Sequence, residues 1–209
     1  MDNNDRVLLV EGQDDEHVVR HLCLRSQPIP PFQIENKLNV DNLLDSIKQE
    51  VRVPGRNAVG ILVDANDDLN ARWSAVANRL REGNIEVPRI PESNGTLIDR
   101  TTRTPRVGIW LMPDNTSPGE LENFVSEMIP NDDPVWPRSQ SYIDGIPKSD
   151  RNFTGKKVPR AKVHAWLATR EEPRKMGVAI RARDLHVDGP LSTTFANWLR
   201  QLFELNADG

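Results

Sequence analysis

The chain has 209 residues, 37% of them hydrophobic and 28% charged, with a formal net charge of −4, the balance of a globular protein able to bury one core. No apolar run approaches the roughly 20 residues of a membrane helix, and the acidic start MDNNDR lacks the basic flank of a secretory signal, so a cytoplasmic protein without a membrane partner is expected. A lone Cys23 excludes an internal disulfide and a zinc site built on several thiolates.

Arg6 to Val10 (RVLLV) is a continuous apolar run that reads as a buried parallel strand. A helix is expected from about Asp14 to Leu24, with Asp14 as its N-cap. After a Pro-rich bend at residues 26–31, Asn39 caps a second helix in which Val40, Leu43, Leu44, Ile47 and Val51 recur at helical spacing. Ala58 to Val63 (AVGILV) is a second buried strand, ending in Asp64. A third helix, about Asp68 to Arg81, carries Leu69, Trp73, Val76 and Leu80 on one stripe and closes at Gly83. Residues 87–105 read as turns with one antiparallel hairpin, Val107 to Met112 (VGIWLM) as another buried strand, and Glu120 to Ile129 as a short helix.

Beyond Pro130 the prolines predict a long irregular stretch, interrupted by a helix near residues 161–169. A last amphipathic helix carries Phe195, Trp198, Leu199, Leu202 and Phe203. The expected division is a core at residues 1–130 and a basic, Pro-rich extension at 131–209 whose C-terminal helices pack back on that core. Apolar strands alternating with helices predict an α/β fold, a central, mostly parallel sheet flanked by helices. Ligands in such sheets bind beyond the carboxyl ends of the strands.

Acid follows each of the three most apolar strands: Glu11, Asp14, Asp15 and Glu16 after the first, Asp64, Asp67 and Asp68 after the second, Asp114, Glu120 and Glu122 after the third. Taken singly, such an acid is an N-cap or a solvated loop residue. If the strands are neighbours, the clusters converge on one edge, where they repel each other unless a cation neutralises them. Oxygen donors without His or thiolate favour magnesium, manganese or calcium over zinc. Between Lys148 and Arg183, eleven Lys and Arg stand against three acids, a local balance of +8 that leaves −12 for the rest. An acidic body with one basic stretch suggests a polyanion-binding face beside an acidic site; the alternative is that the cations only solvate a loop-rich segment.

The elements VEGxDD at residues 10–15, VDANDD at 63–68 and GxWxMPDN…GELENF at 108–124 resemble the TOPRIM domain. That is the catalytic domain of type IA and type II topoisomerases, bacterial primases and the OLD (overcoming lysogenisation defect) nucleases. The nearest likeness is to small stand-alone TOPRIM-like proteins related to the OLD nucleases. It spans residues 6–128 and, more weakly, 156–167 (KKVPRAKVHAWL). The resemblance implies a TOPRIM-like Rossmannoid fold with Glu11 as the TOPRIM glutamate and Asp15 as the second acid of an ExxxD spacing. It also implies Asp64 as the first Asp of a DxD motif, Glu120 and Glu122 as the later acidic pair, and Lys162 as a lysine near the scissile phosphate. The second Asp of DxD is replaced by Asn66, which ligates without charge unless Asp67 or Asp68 substitutes.

The activity implied is phosphodiester hydrolysis of DNA or RNA with two Mg²⁺ or Mn²⁺ ions. Glu11, Asp64 and Asn66 would hold one ion, and Asp15, Glu120 and Glu122 would hold or border the other. Glu11, Asp64 and Lys162 are the expected catalytic residues, and Lys156, Lys157 and Arg160 would grip backbone phosphates. The only tyrosine, Tyr142, lies in a Pro-rich loop, which argues against strand passage. His17 and His21 lack the Glu of an HExxH motif and read as structural. Asp150 stands where a Walker loop needs glycine. The resemblance further implies a separate ABC-type or AAA ATPase partner and a role in anti-phage defence; oligomeric state stays open, a homodimer included. A rival reading is a TOPRIM-like binding or regulatory subunit without catalysis, supported by Asn66. A response-regulator phosphoacceptor is disfavoured by Glu11 in place of Asp, by chain length and by the lack of a lysine at a late strand end.

Overall fold

The structure is a computed structural model that describes residues 5–204; the start of the acidic segment MDNNDR, residues 1–4, lies outside the described residues, as do 205–209. Strands β1 (Arg6–Val10), β2 (Gln33–Asn36), β3 (Ala58–Asp64), β4 (Thr96–Ile98) and β5 (Arg106–Met112) form one five-stranded sheet in the order β2-β1-β3-β5-β4. All pairings are parallel except β4 with β5. Helices α1 (Gln13–Arg25), α2 (Val40–Glu50), α3 (Leu69–Glu82), α4 (Leu121–Ser126), α5 (Trp136–Gly145), α6 (Val158–Leu167), α7 (Met176–Ala182) and α8 (Pro190–Phe203) cover it. Among the described residues no helix is long and apolar enough to cross a membrane.

The strands are apolar throughout because both faces are buried. Val7, Leu9, Val59, Ile61, Val63, Val107, Ile109 and Leu111 cluster with α2 and α3. The alternate residues Leu8, Val10, Leu62, Trp110 and Met112 cluster with α1, α4, α6, α7 and α8. Residues 131–204 thus supply much of the cover for one face of the sheet. Gly60 and Gly108 are register partners on β3 and β5. A β-carbon on Gly60 would stand 2.9 Å, and one on Gly108 2.7 Å, from Leu202 Cδ2, so this bare pair forms the trough that receives α8. The end of α8 is held by strand-start arginines: Arg6 Nη1 donates to Phe203 O at 2.9 Å, and Arg106 Nη1 to Gln201 O at 2.9 Å and Glu204 O at 2.8 Å.

Several expectations change. Helix α1 begins at Gln13 with Gly12 as N-cap, so Asp14 sits inside the first turn and Asp15 takes the capping role. The edge strand β2 (QIEN), with the single apolar Ile34, carries no apolar run. The segment after Pro130 holds α5 and α7 as well as α6. Pro137, Pro159 and Pro190 lie in the first turns of α5, α6 and α8, where proline's fixed φ suits a helix and its missing N–H costs nothing.

Candidate functional site

The chain leaves β1 toward β2 on one side and returns to β3 on the other, so the strand order reverses between β1 and β3. Such a switch point opens a crevice at the carboxyl ends of the strands. Here it is a cleft of about 500 Å³ lined by Glu11, Asp14, Asp15, Asp64, Asn66, Glu120 and Glu122, with Lys157, Arg160 and Lys175 on its rim.

Three of the acids are placed by backbone contacts. Glu11, directly after β1, accepts from the Asp64 N–H at the end of β3 at 2.8 Å. Asp64 in turn accepts from the Leu121 N–H at the head of α4 at 2.9 Å, and Asp15 from the Gly12 N–H at 3.1 Å. Asn66 and Gly119 exchange backbone hydrogen bonds of 2.8 and 2.7 Å. That bridge ties the loop after β3 to the loop after β5 and carries Glu120 and Glu122 to Asp64. Asn66 has φ +54°, a left-handed conformation in which Asn is favoured among non-glycine residues.

Burial and mutual repulsion govern the protonation of this group. Desolvation first, then the neighbouring Glu11 charge, pushes Asp15 up to about 7. Burial, with repulsion from Asp15, Glu11, Glu122 and Glu120, holds Asp64 well above the usual carboxylate range. Burial also raises Glu11 and Glu122. Cations offset part of the charge: Lys157 Nζ donates to both Glu120 oxygens at 2.8 and 3.0 Å, and its own pKa rises through that contact. Arg160 lies 3.6 Å from Glu122 and 3.7 Å from Asp14.

Of the residues expected from sequence, Glu11, Asp15, Asp64, Asn66, Glu120, Glu122, Lys157 and Arg160 gather here. The others stand apart. Asp68 caps α3, accepting from the Ala71 N–H at 2.9 Å, and its extended backbone turns the carboxylate over that helix's first turn. Asp67 pairs with Lys156 outside the cleft lining, so neither Asp67 nor Asp68 replaces the missing second Asp. Lys162 pairs with Asp144 of α5 at 2.8 Å; two residues beyond Arg160, it points about 200° around α6 from it. Sequence reasoning missed Lys175 as a rim residue, although the basic count includes it. It also missed Arg72, one turn into α3, which donates to Asp64 O at 2.9 Å.

The donor set suits a hard divalent cation: six acids against three basic residues line the cleft, all through oxygen. Among the described residues, no group of three or more His, Cys, Asp or Glu side chains is placed to hold a metal ion; Asp15, Glu11 and Asp64 are turned to backbone N–H groups and Glu120 to Lys157. A comparison with curated proteins and one with solved structures gave no match. The family described as "Protein of unknown function (DUF3226)" matches residues 5–204, and the chain belongs to that family.

Proposed function

We propose that this protein is a divalent-metal-dependent nuclease of TOPRIM-like architecture that hydrolyses phosphodiester bonds of DNA or RNA at the carboxyl edge of its sheet. The observation that carries the reading is the surplus of buried carboxylates at the switch point, raised in pKa by burial and by one another. Such a group is costly unless a cation completes it. Glu11, Asp64 and Asn66 would hold one ion, and Asp15, Glu120 and Glu122 would hold or border a second. When bound, Mg²⁺ or Mn²⁺ would supply charge for the phosphate and lower the pKa of a bound water. The chain's own cations do the rest: Lys157, Arg160 and Lys175, on the rim, hold non-bridging phosphate oxygens and offset the negative charge of the transition state. Lys157 takes the place expected of Lys162, which is tied to Asp144. A partner ATPase and a role in anti-phage defence belong to the same proposal and rest on the TOPRIM and OLD resemblance alone.

A second reading, a nucleic-acid-binding or regulatory subunit without catalysis, is favoured by one observation: Asn66 is neutral, and Asp67 and Asp68 are engaged elsewhere. Incubating supercoiled plasmid and a tRNA pool with Mg²⁺ or Mn²⁺, beside a Glu11→Gln control, separates the two. The nuclease reading predicts metal-dependent products that Glu11→Gln reduces by at least about a hundredfold. Intact substrates under every condition, with and without a candidate ATPase, would favour the subunit.

A further inference from the structure

Part of the basic stretch is turned onto the acidic cleft. From the turn Gly155–Lys157 and the head of α6, Lys156 pairs with Asp67, Lys157 with Glu120, and Arg160 with Glu122 and Asp14. Three successive cations of one short segment are thus spent on carboxylates in or beside the acidic cleft. The partners differ in burial: the Lys157 side chain is 47% exposed and the Glu120 side chain 7%. The segment is solvent-exposed at its head, over residues 154–157, and a β-carbon on Gly155 would meet nothing within 4 Å. It is fixed at its tail, where Val163, Trp166 and Leu167 are buried in the core.

We infer that residues 156–160 are a tethered counter-ion for the cleft, displaced by a divalent cation, so that metal and a phosphate backbone bind with positive cooperativity. This rests on the proposal that the cleft takes a divalent cation. An ion of charge two outcompetes an ammonium for the buried Glu120 carboxylate. Lys157 and Arg160, losing their acids, then present their N–H donors to phosphate oxygens beside the cleft. A phosphate that draws Lys157 away first would leave Glu120 buried and uncompensated, which is strongly unfavourable until a cation enters. Each ligand therefore assists the other, and by the same factor.

The test is the affinity of short fluorescent single-stranded DNA and RNA, read by anisotropy at constant ionic strength in EDTA and in Ca²⁺. For the wild type, Ca²⁺ is expected to tighten binding of the strand by about tenfold. Lys157→Gln should lose most of that gain, with a calcium ratio near one. Glu120→Gln releases Lys157 and should bind in EDTA nearly as tightly as the wild type does in Ca²⁺. If calcium acted only by offsetting the cleft's negative field, Lys157→Gln would keep the wild-type ratio, and that result overturns the inference. So does a wild type indifferent to Ca²⁺. Product gels judge the nuclease reading separately: coupling without cutting leaves the tethered counter-ion standing in a non-catalytic protein, and cutting without coupling removes this inference alone.

Discussion

Asp15 shows how burial turns a capping residue into a titrating one. The residue is 8% exposed and its carboxylate accepts the Gly12 N–H, yet burial and the Glu11 charge lift it from 3.8 to about 7. Between those values the folded chain holds a proton that the unfolded chain has released. The stabilisation is complete at low pH and is lost as pH rises through the folded value, at up to about 1.4 kcal/mol per pH unit for each such proton. Glu11, Asp64 and Glu122 shift in the same direction. In EDTA, thermal stability should therefore fall from pH 5 to pH 8, and Asp15→Asn, which keeps the acceptor and drops the charge, should flatten the fall. A midpoint that rises with pH, or the same slope in the variant, would contradict this. The strand-end acids were legible in the sequence because a strand's end is marked by its apolar run. Asp68 and Lys162 were not, because a cap's direction and a helix's facing depend on neighbours far along the chain.

Helix α8 depends on what the strands lack. Leu202 enters the trough left by Gly60 and Gly108, and Trp198 lies over Gly95, where a β-carbon would stand 2.3 Å from the indole. Gly108→Val should cost about 2–3 kcal/mol in chemical denaturation by overfilling that contact. Gly145→Ala, whose β-carbon meets nothing within 4 Å, should change stability by less than about 1 kcal/mol. Equal effects would mean that α8 does not lie in the trough. The three central strands and helices α2 and α3 were readable from apolar runs and helical stripes, α2 also from its Asn39 cap. Strand β2, QIEN, is four residues of mixed polarity at a sheet edge, and only its pairing with β1 identifies it. Of the helices after Pro130, α6 and α8 were expected, while α5 was hidden because Pro137 reads as a breaker until its position in a first turn is known.

At the scale of the whole molecule, the charge asymmetry and the topology meet in one place. The sheet's reversal between β1 and β3 puts the acids of three strand ends around one cleft, and the basic stretch folds back across it. The asymmetry was visible in the sequence; that Lys156, Lys157 and Arg160 pair with acids in or beside the cleft was not, because it depends on where α6 lands. The central claim is that this edge holds a divalent cation, and calorimetric titration of Mg²⁺ and Mn²⁺ tests it most directly, beside Asp64→Asn. The substitution keeps the acceptor for the Leu121 N–H and removes a charge from the middle of the cluster. Saturable binding weakened by at least about tenfold in the variant is the predicted result. No saturable binding in the wild type, or equal affinity in both proteins, would contradict the account.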